Sequence, residues 1–405
     1  MNGPHWTASK RAVAAVILGA LMATGTSPGT GPLTRADVGP KRIQPVIGIR
    51  SFALPTTNLK VAAYRSYVVN EGGPDRLCRH SHGQITSCVI QIWGGNVGRI
   101  WKPVLLKQFR TIWDPQGLIV SAHWIVWPAA PWGRSYAWRI YALNRSTRRL
   151  YVVDSSDKEG VPRGPFLFPQ GSLYGDTIGY SYTTCHAACD RSGYGPTFVA
   201  TMRLPDGPKK IQVSSQTAGC PVGAADLWGK TLVWVESFCE GPHSDEIFVK
   251  DLATGRARRL TNGRNTFAPV TNGRFVAWRY HDAPHVGPNY VWVYDTRTGR
   301  RFRASRVIGP WHKGCRRKNV DTCVYEWGPL MNSRVVAFSS AGPQPRGGVH
   351  APFFLDLWTG REYGFPRGQG GTPEPSVGPR LIWSECSPPG SFPCRRPRLF
   401  TAIAP

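Results

Sequence analysis

The chain has 405 residues, with Gly 45, Pro 36 and Trp 16, and its 50 Lys and Arg against 24 Asp and Glu give a formal net charge of +26. Short apolar runs punctuated by Gly and Pro, with no long helical periodicity beyond the N-terminus, exclude a helical bundle and point to an all-β protein. The charge marks the chain as attractive to polyanions through its long-range field, which bears on partners and not on fold.

In chain order, Lys10 and Arg11 precede an apolar run from Ala12 to Ala23. This reads as an export signal over residues 1–25, and roughly 12 apolar residues are too few to span a bilayer comfortably. An uncleaved N-terminal anchor is the alternative. Residues 26–41 are rich in Gly, Pro and Thr and read as a flexible linker, so that 42–405 form the folded domain.

Within that domain a short turn leading into a strand with an aromatic end recurs seven times. Its markers are Arg65, His123, Asp176, Lys230, Arg274, Arg334 and Arg380, at steps of 44 to 60 residues. Periods of this size mean a propeller or an array. A second phrase follows each central strand, as in FVKDLATGRARRL and VYDTRTGRRFRA. In Asp-x-x-Thr-Gly-Arg the Asp side chain can cap the turn backbone and Gly takes the positive φ. Each unit is therefore a four-stranded meander. The last unit lacks a fourth strand, and Arg42–Arg50 (RIQPVIGIR) precedes the first as a spare one. Letting that strand complete the last unit protects exposed edges, so the expected architecture is a seven-bladed β-propeller. Six blades with an irregular extension is the alternative.

The stretch from Asp251 to Trp278, DLATGRARRLTNGRNTFAPVTNGRFVAW, resembles the repeats of the TolB-type, WD-repeat-like propellers, with partial matches at Asp295–Arg301 and Asp356–Arg361. The resemblance is strongest over residues 245–305. It implies a β-propeller fold and says little of function, because such propellers serve transport, proteolysis, lysis of polysaccharides and binding alike.

In a propeller the turns between strands 1–2 and 3–4 emerge on one face. That face gathers the anion-binding candidates Arg65, Lys230, Arg256, Arg274, Arg300, Arg334, Arg361 and Arg380. The ten cysteines are expected on the opposite, loop face. An even count in an exported chain argues for disulfides. Proximity pairs Cys78 with Cys88, Cys185 with Cys189, Cys220 with Cys239, Cys315 with Cys323 and Cys386 with Cys394. Lys313, Arg316, Arg317 and Lys318 cluster in and beside one such loop and could grip phosphate or a carboxylated glycan.

His281-Asp282-x-x-His285 is a weak metal-like spacing in a Pro-containing loop, so no metal or cofactor is expected. Glu236, Glu240, Asp245 and Glu246 could supply a carboxylate pair for glycoside chemistry, although no spacing selects two of them. Most Trp residues fall on strand positions, as packing between blades requires. No Gly-x-Ser-x-Gly, His-Glu-x-x-His, Walker or dinucleotide motif is present, and no nucleic-acid site is expected. The expectation is a monomeric, exported, non-enzymatic binding or scaffold propeller at the cell envelope, contacting an envelope protein or an anionic surface polymer. A secreted polysaccharide lyase or glycosidase and an anchored sensor ectodomain are the alternatives.

Overall fold

The structure is a computed structural model that describes residues 44–45, 50–53, 60–72, 78–81, 84–97, 102–131, 137–156, 171–183, 196–215, 221–238, 244–262, 265–281, 289–304, 325–341, 351–364, 372–373, 376–377, 380–386 and 397–403. The chain divides into units Met1–Pro40 and Lys41–Pro405, and the described residues belong to the second. All regular structure among them is strand, and no helix is long and apolar enough to cross a membrane.

The described strands group into seven sheets. The fourth sheet shows the pattern: Val222–Trp228, Thr231–Phe238, Ser244–Asp251 and Ala257–Arg259 pair antiparallel in sequence order. The third and fifth sheets repeat it without additions. The second sheet splits its first strand into Trp113–Pro115 and Ile119–Val120. The first sheet gains a hairpin, Arg79–Ser81, folded on the long strand Gln84–Asn96.

Each central strand is apolar along most of its length because it is buried on both faces. In Thr231–Phe238, Leu232 and Trp234 pack toward the third sheet with Val199, whereas Val233 and Val235 pack toward the fifth with Val276 and Trp278. The same alternation places Trp127 between the first and second sheets, Trp124 between the second and third, and Trp383 between the sixth and seventh. The Trp-rich composition thus supplies inter-sheet cores, where fully burying a large apolar side chain contributes about 1.5–3 kcal/mol. A further core joins Leu399 of the seventh sheet to Val61 and Val68 of the first.

The spare N-terminal strand pairs differently from the expected span. Arg50–Ala53 is the segment that pairs antiparallel with Pro397–Ile403 and adds a fourth strand to the seventh sheet. Gln44–Pro45 instead runs parallel to Glu362–Gly364 at the edge of the sixth. Pro45 lacks an N–H for a ladder, which suits an edge contact of two residues and not a continuous strand.

Candidate functional site: the basic turn face and the channel beneath it

The turns are built as their sequence dictates. The carboxylate of Asp251 accepts the Ala253 N–H at 2.8 Å, that of Asp295 the Arg297 N–H at 3.0 Å, and that of Asp356 the Trp358 N–H at 2.9 Å. Gly255, Gly299 and Gly360 then sit at φ 72°, 73° and 65°. In the second sheet Asn144 replaces the Asp, accepting from Ser146 and Thr147, and Arg148 takes the glycine position at φ 56°.

The marker residues occupy one equivalent backbone site. The carbonyls of His123, Asp176, Lys230, Arg274 and Arg334 accept N–H groups of Arg145, Leu204, Leu252, Thr296 and Leu357 at 2.7–2.9 Å. Each such bond ties the inner turn of a sheet to its outer turn.

The side chains at these markers divide into two groups. Arg274 grips Asp295 through Nη2 at 2.7 Å and Nε at 3.2 Å, and Arg334 Nε reaches Asp356 at 2.7 Å. The Arg274 guanidinium holds the Asp295 carboxyl at about 2, against the opposing effect of burial. Burial alone would raise Asp356, but the Arg334 guanidinium and the turn amides outweigh it and hold that carboxyl low. His123 and Asp176 pair at 2.9 Å. Arg65, Lys230, Arg256, Arg300 and Arg361 are exposed and take part in no ion pair among the described residues. Asp251, capped by turn amides, is exposed and lies in the field of Lys230, so it is Arg65, Arg256, Arg300 and Arg361 that leave this face net positive. Trp358, 60% exposed, stands on the same face with the Arg274 guanidinium 4.7 Å from its ring centre.

Beneath the turns lies a cavity of about 270 Å³. It is lined at matching register: Ile119 and Val120, Ser172 and Leu173, Asp226 and Leu227, Val270 and Thr271, Leu330 and Met331 stand four and three residues before successive markers. Innermost strands of six sheets contribute, with Ala63 from the first. In the fourth, fifth and sixth sheets this strand carries a bulge, with Ala224, Ala268 and Gly328 at φ 47°, 48° and 110°. Asp226 is the single titratable group among the described lining residues. Thr271 N–H donates to it at 2.6 Å. Burial pushes its carboxyl up, and hydrogen bonds from Thr271, Ser172 and Leu227 offset only part of that. Sequence reading missed Asp226, since only the ring-like repetition of the register reveals that it faces a channel.

The remaining candidates divide by position. Cys78 and Cys88 form a disulfide on the hairpin side of the first sheet. Cys185, Cys189, Cys220, Cys239, Cys315, Cys323 and Cys394 lie outside the described residues, as do Lys313, Arg316, Arg317, Lys318, Asp282, His285 and Glu240. His281, Arg380 and Cys386 lie on described strands, but their side chains are outside the description. Glu236 faces Glu246 directly across the fourth sheet. Glu246 accepts the Thr261 hydroxyl, and Asp245 accepts that of Ser237. Among the described residues no three His, Cys, Asp or Glu converge as metal ligands.

No protein-family model and no curated protein matches the chain. Among solved structures, TolB from Acinetobacter baumannii is 13% identical over 83% of this chain and 80% of that one, with a TM-score of 0.39. An oligogalacturonate lyase from Vibrio parahaemolyticus is 10% identical over 90% and 99%, with a TM-score of 0.47. A prolyl endopeptidase is 9% identical over 86% of this chain and 50% of that one, with a TM-score of 0.53. The chain spans half the length of that endopeptidase, and at these identities the likeness concerns the fold alone. The chain is an all-β propeller, and in sequence alone its turn-and-hairpin repeat resembles that of the TolB-type, WD-repeat-like propellers.

Proposed function

We propose that the chain is an exported, seven-bladed binding propeller whose turn face captures an anionic polymer of the cell envelope, without catalysis. The observation that carries this reading is the division of the turn-face charges. Asp295 and Asp356 are neutralised by Arg274 and Arg334, while Arg65, Arg256, Arg300 and Arg361 remain exposed with no ion pair among the described residues and exposed Lys230 meets Asp251 only through its field. The core between Leu399 and Val61 supports the count of seven, and the apolar run at 12–23 supports export. Exposed charges attract a polyanion through a field that salt screens, with a reach of about 8 Å at physiological ionic strength.

The test is co-sedimentation of the purified chain with its host's envelope fractions across a salt series. Binding that falls steeply with salt supports the reading. Binding indifferent to salt would favour a protein partner held by the loop face, and no binding would leave the charge without this role.

A further inference from the structure

The cavity and the basic face are one continuous arrangement. The lining residues lie on the innermost strands, three and four positions before the markers in the turns that follow them. Asp226 lies two residues before the end of the strand Val222–Trp228 and Lys230 stands in the turn that follows, so at about 3.3 Å per residue the two lie roughly 10 Å apart. The walls around Asp226 are apolar: Val120, Leu173, Val270, Leu330 and Met331. We propose that the channel receives an amine-bearing arm of an anionic ligand, its ammonium group pairing with Asp226 while its phosphate or carboxylate stays on Lys230 at the mouth. This rests on the turn-face reading above and names the chemistry that it would select.

Two arguments favour a ligand with both charges. A half-buried carboxylate in an apolar wall is relieved by an entering cation even beside its bonds to Thr271, Ser172 and Leu227, and desolvation has pushed the Asp226 carboxyl up, which an ammonium partner would reverse. A simple amine, however, must approach a protein of charge +26 past exposed Lys230. An anionic group on the same molecule turns that repulsion into attraction. A separation of roughly 10 Å between the two charges matches an aminoalkyl or aminoacyl substituent and exceeds that of a free α-amino acid.

The experiment is calorimetric titration of the purified chain with 6-aminohexyl phosphate, hexyl phosphate and hexylamine. The account predicts that 6-aminohexyl phosphate binds at least ten-fold more tightly than either of the others. In Asp226→Asn its preference over hexyl phosphate should fall to about one. Equal affinity for the two phosphates in the unaltered chain overturns the inference, as does a preference that persists in folded Asp226→Asn. Should that variant fail to fold, Met331→Trp, which fills the cavity without removing the carboxyl, is read in its place, with loss of preference supporting and persistence overturning. Hexyl phosphate bound without an amine preference sinks this inference alone. Absence of binding by every phosphate, together with absence of envelope sedimentation, sinks the turn-face reading beneath it.

Discussion

The guanidinium of Arg274 meets the carboxylate of Asp295 at 2.7 Å, joining the inner turn of the fifth sheet to its outer turn. Arg334 and Asp356 repeat the contact in the sixth. Asp295 keeps 8% of its side-chain exposure and Asp356 keeps 0%. Because an unpaired group costs more the deeper it lies, Arg334→Ala should destabilise more than Arg274→Ala. Leaving Asp356 without its partner costs roughly 1–3 kcal/mol. Urea unfolding of the two variants checks the order.

Acid should release the same contacts. The folded Asp295 carboxyl stands at about 2 against 3.8 unfolded, chiefly through Arg274. A depressed carboxyl contributes stability that is full above the unfolded value and is lost as pH falls toward the folded one. Unfolding free energy should therefore decline between about pH 4 and pH 2, and Asp295→Asn should show a shallower decline. Denaturation curves at several acidic pH values measure both.

Asp226 carries the opposite sign. Its raised carboxyl means that ionisation costs stability, a penalty absent below the unfolded value of 3.8 and complete above the folded one. Asp226→Asn keeps an acceptor for the Thr271 N–H and removes the charge. Relative to the unaltered chain, it should be more stable at pH 7 than it is at pH 4. Paired unfolding curves at those two pH values give the comparison.

The outer turns make a backbone prediction. Gly299 takes φ 73°, so Gly299→Ala should cost about 1 kcal/mol. Arg148 holds the equivalent left-handed position at φ 56°, so Arg148→Gly should be neutral or stabilising. Thermal melts should show a lowered Tm for Gly299→Ala and an unchanged or raised one for Arg148→Gly.

The repeat was legible because its rules are local. Asp251, Asp295 and Asp356 cap turns two residues ahead, and Gly255, Gly299 and Gly360 follow within the same six residues. The inner markers were equally legible as turns, since Gly175, Gly229 and Gly273 at positive φ precede three of them. The roles of their side chains were not. Arg274 and Asp295 are 21 residues apart, and Arg334 and Asp356 are 22 apart. In the sequence those arginines look no different from Arg256 or Arg300. Asp226 was hidden for a further reason: its distinction lies in facing Ser172 and Thr271 of the neighbouring sheets, which only the assembled ring brings together. The N-terminal strand was legible in kind but displaced in place: the expected span ends at Arg50, where the strand on Pro397–Ile403 begins, and Gln44–Pro45 within it pairs with the sixth sheet instead.

The central claim is that exposed and ion-paired bases of the turn face do different work. It is tested most directly by comparing two variants in envelope co-sedimentation and in thermal melts. One replaces Arg65, Lys230, Arg256, Arg300 and Arg361 with Ser, and the other replaces Arg274 and Arg334 with Ala. The account predicts that the first loses salt-sensitive binding with little change in Tm, whereas the second loses Tm first. A five-fold variant that still sediments with the envelope as the unaltered chain does, across the whole salt series, would contradict it.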